Sequence, residues 1–230
     1  MKKLLVCSVA IVCVAAFSTL TYAQCGVLGV ECLTNGNLDV GTAGGAGMPG
    51  TAPPWTLANT GNDTAAQFNP DFADSTGVNG IWYRAFLGGG TNMNPLVSAD
   101  LSQSVVTTMS GFHRLTFDYL METNFTAESM MATLSSTSGG SASVDLLAGP
   151  RTNIGGGFGM QAAEVGSLLI NANAGDTLTV SLAMVNGEDA GANPQSLVAD
   201  NFSLTAVPEP TSVMLGLLGA VGLFGLARRR

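Results

Sequence analysis

Apolar and polar residues alternate through much of the middle of this 230-residue chain. Leu115, Phe117 and Tyr119 alternate with Thr116, Asp118 and Leu120, and Leu178, Val180, Leu182 and Met184 alternate with Thr179, Ser181 and Ala183. A two-residue repeat sends one set to one face of a strand and the other set to the opposite face. Stretches of this kind, bounded by turn-forming clusters, are Ala65–Asn69, Ile81–Phe86, Ser104–Thr108, Arg114–Met121 and Met130–Ser135. Ser143–Leu147, Ser167–Asn171, Thr177–Val185 and Ser196–Thr205 continue the series. Helical periodicity is nearly absent, which predicts an all-β domain. Strands with one apolar face bury it most simply in two stacked antiparallel sheets. The expected fold is a single antiparallel β-sandwich.

Both ends depart from this pattern. Leu4–Ala16 is apolar behind Met1-Lys2-Lys3, and Thr21-Tyr22-Ala23 offers small residues at the two positions that matter before a cut. This reads as a secretory signal peptide, residues 1–23, with cleavage after Ala23. Lipid attachment at Cys25 is the competing process, but it needs a small residue where Gln24 stands. At the other end Ser212–Ala227 carries no charge and is followed by Arg228, Arg229 and Arg230. Sixteen residues span roughly 24 Å as a helix, somewhat short of a hydrocarbon core of about 30 Å. Local thinning or snorkelling arginines would accommodate the difference. The arginines act as a stop that stays cytoplasmic. An ordinary single-span anchor is one reading of this tail.

Setting the ends aside changes the charge. Residues 24–207 keep three basic residues, Arg84, Arg114 and Arg151, against fifteen of the sixteen acids, a net charge of −12. Such a surface repels phosphate backbones, so nucleic acid is excluded as a partner class. It would suit divalent cations, and it also serves solubility in a chain poor in charge. Cys7 and Cys13 leave with the signal peptide, so Cys25 and Cys32 remain as an even pair in an oxidising compartment, where a disulfide is expected. Zinc is the rival use, but His113 is the lone histidine, which leaves a poor four-ligand set.

Candidate chemistry is sparse. Gly41–Pro54 and the other glycine-rich stretches lack the Gly-Lys-Ser/Thr ending of a phosphate loop. No HExxH, GxSxG or CxxC occurs, and the chain is expected not to be an enzyme. The paired acids Asp71 and Asp74, or Glu188 and Asp189, stand in loops, where acid–base work would require a raised pKa. Trp55, Trp82, Tyr83 and Arg84 are the candidates for glycan contact, since sugar CH faces stack on exposed rings and polar neighbours bind hydroxyls. Asn79 and Asn92 lie near enough in sequence to assist. Trp82 and Tyr83 are adjacent on a strand and point to opposite faces, so one of them belongs to the core. The alternative is that both tryptophans fill the sandwich.

Val207-Pro208-Glu209-Pro210-Thr211, the apolar run and the terminal arginines, in that order, resemble the PEP-CTERM sorting signal, also catalogued as the ice-binding protein C-terminal domain. The resemblance covers residues 207–230, with a transmembrane segment at 212–227 and a basic stop at 228–230. It implies that Pro208, Glu209 and Pro210 are recognised by an exosortase, an integral-membrane cysteine protease or transpeptidase of bacteria that make exopolysaccharide. It also implies transient anchoring in the inner membrane, then residence at the cell surface or in the matrix.

The domain at 24–206 carries a second resemblance. Asn35-Gly36-Asn37-Leu38-Asp39, Pro54-Trp55-Thr56, Leu101–Val105, Gly111–Phe117 and Val198–Leu204 follow the order found in galactose-binding-domain-like jelly rolls. That resemblance implies sugar binding at loops on one edge of the sandwich. It further implies a structural Ca²⁺ near the first and last strands, with Asn35, Asp39 and Asp200 as oxygen ligands; no other cofactor is expected. Three functions are consistent with these readings: a non-catalytic surface or matrix protein associated with exopolysaccharide, a specific carbohydrate-binding protein, or an extracellular hydrolase.

Overall fold

The computed structural model describes residues 25–70, 79–90, 94–152, 163–192 and 195–208. The expected signal peptide, Asp71, Asp74, Asn92 and the tail from Glu209 to Arg230 lie outside the described residues.

The fold is all-β. Its strands are β1 Thr56–Thr60, β2 Ala66–Asn69, β3 Gly80–Arg84, β4 Val97–Val106, β5 Gly111–Met121, β6 Ser129–Ser136, β7 Ser141–Asp145, β8 Glu164–Ala172, β9 Thr177–Gly187 and β10 Ser196–Val207. Short 3-10 turns at Ala85–Leu87 and Leu146–Ala148 follow β3 and β7. Two five-stranded sheets run in the orders β1-β4-β9-β6-β7 and β2-β3-β10-β5-β8. From β3 onward the pairing is nested: β3 with β10, β4 with β9, β5 with β8 and β6 with β7, all antiparallel. This is the wrap of an eight-stranded jelly roll. The strands β1 and β2 each extend one sheet at its edge.

The inward set of each strand builds one core between the sheets. Leu115, Phe117, Tyr119 and Met121 of β5 face Leu178, Val180, Leu182 and Met184 of β9, all buried. A Phe side chain taken fully out of water contributes about 1.5–3 kcal/mol. In β10 the register shifts between Asp200 and Ser203, and Asn201 adopts φ 52°. This bulge lets Ala199 and Phe202 both reach the core. Phe202 then stacks on Phe117 at 5.5 Å and receives Trp55 at 5.0 Å.

Each expected strand overlaps an observed one, and one observed strand was not anticipated. β1 is an edge strand with a single large apolar residue, Leu57, and no buried position, so it leaves no hydrophobic signal. β4 starts at Val97 rather than Ser104 because two of its inward positions are Ala99 and Gln103. Gln103 is nevertheless satisfied, since its amide exchanges hydrogen bonds with the Thr34 backbone at 2.9 Å each way.

The start and end of the described chain are adjacent. Cys25 and Cys32 are joined by a disulfide, and the loop it closes pairs with the end of β10 through Leu28–Ala206 and Glu31–Thr205 bridges. Because β3 is antiparallel to β10, Arg84 lies at the opposite end of the sheet from Val207.

Candidate functional site

Strand parity decides what β3 offers to solvent. Ile81 and Tyr83 point inward and are fully buried, whereas Trp82 and Arg84 point outward and are half-buried. The Tyr83 hydroxyl donates to the Leu182 carbonyl across the core, and burial raises its pKa well above the usual phenol value. Trp55 is 7% exposed, and its Nε1–H donates to the Asn35 carbonyl at 2.8 Å. Two of the four residues expected to meet a sugar are therefore core residues: Tyr83 by parity, and Trp55 through its packing on Phe202.

Trp82 and Arg84 belong to an aromatic and cationic cluster on the outer face. The Arg84 guanidinium carbon lies 4.8 Å from the Trp82 ring centroid and 5.4 Å from that of Phe86, and the two rings are 5.9 Å apart. Arg84 Nη1 donates to Gln67 Oε1 at 2.8 Å. Gln67 is opposite Trp82 in the β2–β3 register. The Arg84 Nε is buried without a hydrogen-bond partner. Burial lowers the Arg84 pKa from its ordinary value, although a guanidinium remains cationic. Trp82 also packs against Leu120 and Val198, a small apolar group on this outer face.

Beyond Arg84 across β10 lies an acid. Arg84 pairs with Ser196, and the Ser196 N–H donates to Glu122 Oε2 at 2.6 Å while the Glu122 N–H donates to the Ser196 carbonyl at 2.9 Å. Glu122 is buried. Desolvation raises its pKa, opposed by hydrogen bonds from Ser196 and the Gln195 backbone. The face thus offers two half-buried aromatic rings and a fixed cation, backed by the buried Gln67 amide and the buried Glu122 carboxyl, which holds its proton more tightly than usual. Gln67, Phe86 and Glu122 escape the sequence reading. Their membership depends on strand register and on a 3-10 turn, and adjacency in sequence signals neither.

The residues expected to bind calcium, Asn35, Asp39 and Asp200, all take part in hydrogen bonds. Asn35 staples its loop: Oδ1 accepts from Val40 N–H at 2.8 Å, and Nδ2 donates to the Val40 and Pro53 carbonyls at 2.8 and 3.0 Å. Asp39 accepts from Asn37 Nδ2 at 2.5 Å. Asp200 is fully buried on β10 opposite Asp118. The bulge residue Asn201 serves both acids, giving its N–H to Asp200 Oδ1 at 2.8 Å and its Nδ2 to Asp118 Oδ2 at 2.9 Å. Among the described residues no group of three or more His, Cys, Asp or Glu side chains could hold a metal.

His113 is a core residue on β5, with Nδ1 3.0 Å from the Gly111 carbonyl and Nε2 2.9 Å from Thr107 Oγ1. Burial lowers its pKa. Asp189 fixes its own loop by accepting from Gly191 N–H at 2.8 Å and Gln195 Nε2 at 2.9 Å. A polar depression of about 560 Å³, lined by Gly47 and Gly61, Asn62, Asp63 and Thr64, shares no residue with the Trp82 cluster.

The last described residue, Pro208, follows β10 directly. A family model described as the PEP-CTERM protein-sorting motif matches residues 206–230. The chain carries a PEP-CTERM sorting motif. The PEP-CTERM tail marks an exported protein that is held transiently at the membrane and processed by an exosortase, a membrane enzyme. The jelly roll in front of it has no match among curated proteins.

Solved structures similar to the chain include TmCBM61 in complex with β-1,4-galactotriose, 17% identical, covering 77% of this chain and 99% of that one with a TM-score of 0.46. The CBM22-1 xylan-binding domain from Paenibacillus barcinonensis is 13% identical, with 81% and 99% coverage and a TM-score of 0.43. The enzymatically active domain of bacteriophage CBA120 tailspike protein 4 is 11% identical, with 77% and 22% coverage and a TM-score of 0.49.

Proposed function

We propose that this is a non-catalytic cell-surface or matrix protein, delivered by its PEP-CTERM tail and retained in extracellular polysaccharide by the outer face of the β2-β3-β10-β5-β8 sheet. The observation that carries the reading is the outward cluster of Trp82, Arg84 and Phe86 beside Gln67. Ring faces and edges meet the apolar CH groups of a sugar, while guanidinium N–H groups meet its hydroxyls or carboxylates. Arg84 is one of three cations in a domain of net charge −12, and it stands between the two rings of the cluster.

The cluster also lies at the end of the sheet away from the tail, where it stays open to the matrix during anchoring. Purified domain mixed with exopolysaccharide from the producing cells tests this. The wild-type domain is expected to co-sediment with the polymer, and Trp82→Ala/Arg84→Ala is expected to stay in solution. Equal sedimentation of both would contradict the proposal.

A further inference from the structure

The loop closed by Cys25 and Cys32 carries an apolar turn. Val30 N–H donates to the Val27 carbonyl at 3.1 Å, and Gly29 has φ 73°. Val27–Val30 is therefore a β-turn whose third residue is left-handed, a conformation that glycine adopts without strain. Its side chains face water: Val27 is 59%, Leu28 48% and Val30 47% exposed.

The turn is held rigidly in this position. The disulfide closes it, Gly29 N–H donates to the Ala206 carbonyl at 2.9 Å, and Cys32 N–H donates to the Leu204 carbonyl at 2.8 Å. The one charge in the loop, Glu31, is engaged by the Leu33 and Leu204 N–H groups at 2.8 Å each. Three contiguous apolar side chains fixed outward are a surface made for contact.

Their location identifies what they meet. β10 ends at Val207 beside this turn, and the uncharged run of the sorting tail starts at Ser212. The chain from Pro208 to Ser212 can span at most about 14 Å. The turn is therefore tethered close to the point where the tail enters the bilayer.

We propose that the Val27–Val30 turn docks into the headgroup–acyl boundary of the membrane while the tail is inserted, and so orients the sandwich with its Trp82–Arg84 end pointing away from the lipid. The domain's net charge of −12 disfavours anionic headgroups, so the contact is apolar and suits a zwitterionic surface. So small an apolar wedge binds a bilayer weakly by itself. The turn orients the protein without anchoring it, and release follows removal of the tail. This inference rests on the sorting tail and is independent of the glycan reading.

Reconstitution of the mature chain with its tail into phosphatidylcholine vesicles tests it, using protein recovered by flotation. In a Trp55→Phe/Trp82→Phe background, which removes both native tryptophans, Leu28→Trp and Val165→Trp place the one reporter on the turn or at the far end of β8. With lipids brominated along the acyl chains, emission from position 28 is expected to shift to the blue and lose most of its intensity. Emission from position 165 is expected to stay unchanged. Adding Val27→Ser and Val30→Ser to the Leu28→Trp chain should abolish the quenching while flotation persists. Unquenched emission from position 28 in the floated protein would overturn the proposal. Slower exosortase processing of Val27→Ser/Leu28→Ser/Val30→Ser would then assign the turn to a protein contact instead.

Discussion

The Arg84 guanidinium sits 4.8 Å from the centroid of the Trp82 ring, so the two side chains form one packed pair rather than two independent groups. A cation over a partly desolvated indole contributes about 0.5–2 kcal/mol. Arg84→Ala is expected to weaken polysaccharide binding on the order of tenfold, equivalent to about 1.4 kcal/mol. Arg84→Lys should recover part of the affinity, because a lysine keeps the charge but loses the planar stack. Affinity electrophoresis in polymer-containing gels reads both effects.

Gly166 lies hard against a core ring. A Cβ built there would lie 2.2 Å from Phe117 Cζ. Gly166→Ala must displace a ring that stacks on Phe202, and is expected to destabilise the domain by about 1–3 kcal/mol. Phe117→Leu in the same chain should give a combined loss smaller than the sum of the single losses. Thermal melts of the four proteins check this.

Glu122 gives a pH signature. Its folded pKa is raised by burial, so the folded state binds the proton more tightly than the unfolded chain does. Stability linked to this group is present at acid pH and falls as pH rises from the ordinary glutamate range through the raised folded value. Glu122→Gln keeps an oxygen for the Ser196 N–H and removes the buried charge. The variant is expected to match wild type at low pH and to melt higher at neutral pH. A lower melting temperature at neutral pH would show that the carboxylate charge stabilises the fold.

The tail predicts a separable defect. A proline after Glu209 disfavours helical backbone at that residue in any chain, and Pro208 follows β10 directly. Replacing Pro208, Glu209 and Pro210 with alanine should leave export intact while the protein accumulates uncleaved in the inner membrane. Cell fractionation with immunoblotting reads this, and wild-type processing of the triple variant would reduce the tail to a plain anchor.

The all-β class and the strands with large inward residues were readable because alternation alone reports burial on one face, as in Leu178–Met184. β1 and the first half of β4 were not, because edge exposure and small or polar inward residues such as Ala99 and Gln103 remove the hydrophobic signal. Parity did establish that one of Trp82 and Tyr83 is internal. Which one depends on the register of β3 against β10, a property of pairing partners more than a hundred residues apart. For Trp55 the sequence leaves glycan contact and core filling both open, because its burial depends on Phe202 turning inward at a bulge. Glu122 gave no sign in sequence because its surroundings come from β10.

The most direct test of the glycan-binding account is tryptophan fluorescence during titration of the purified domain with exopolysaccharide. Trp82 is half-buried on the outer face and Trp55 is in the core, so one ring should report binding and the other should not. A saturable shift in emission is expected, retained in Trp55→Phe and lost in Trp82→Phe. No shift at saturating polymer, or a shift that survives Trp82→Phe, would contradict the account.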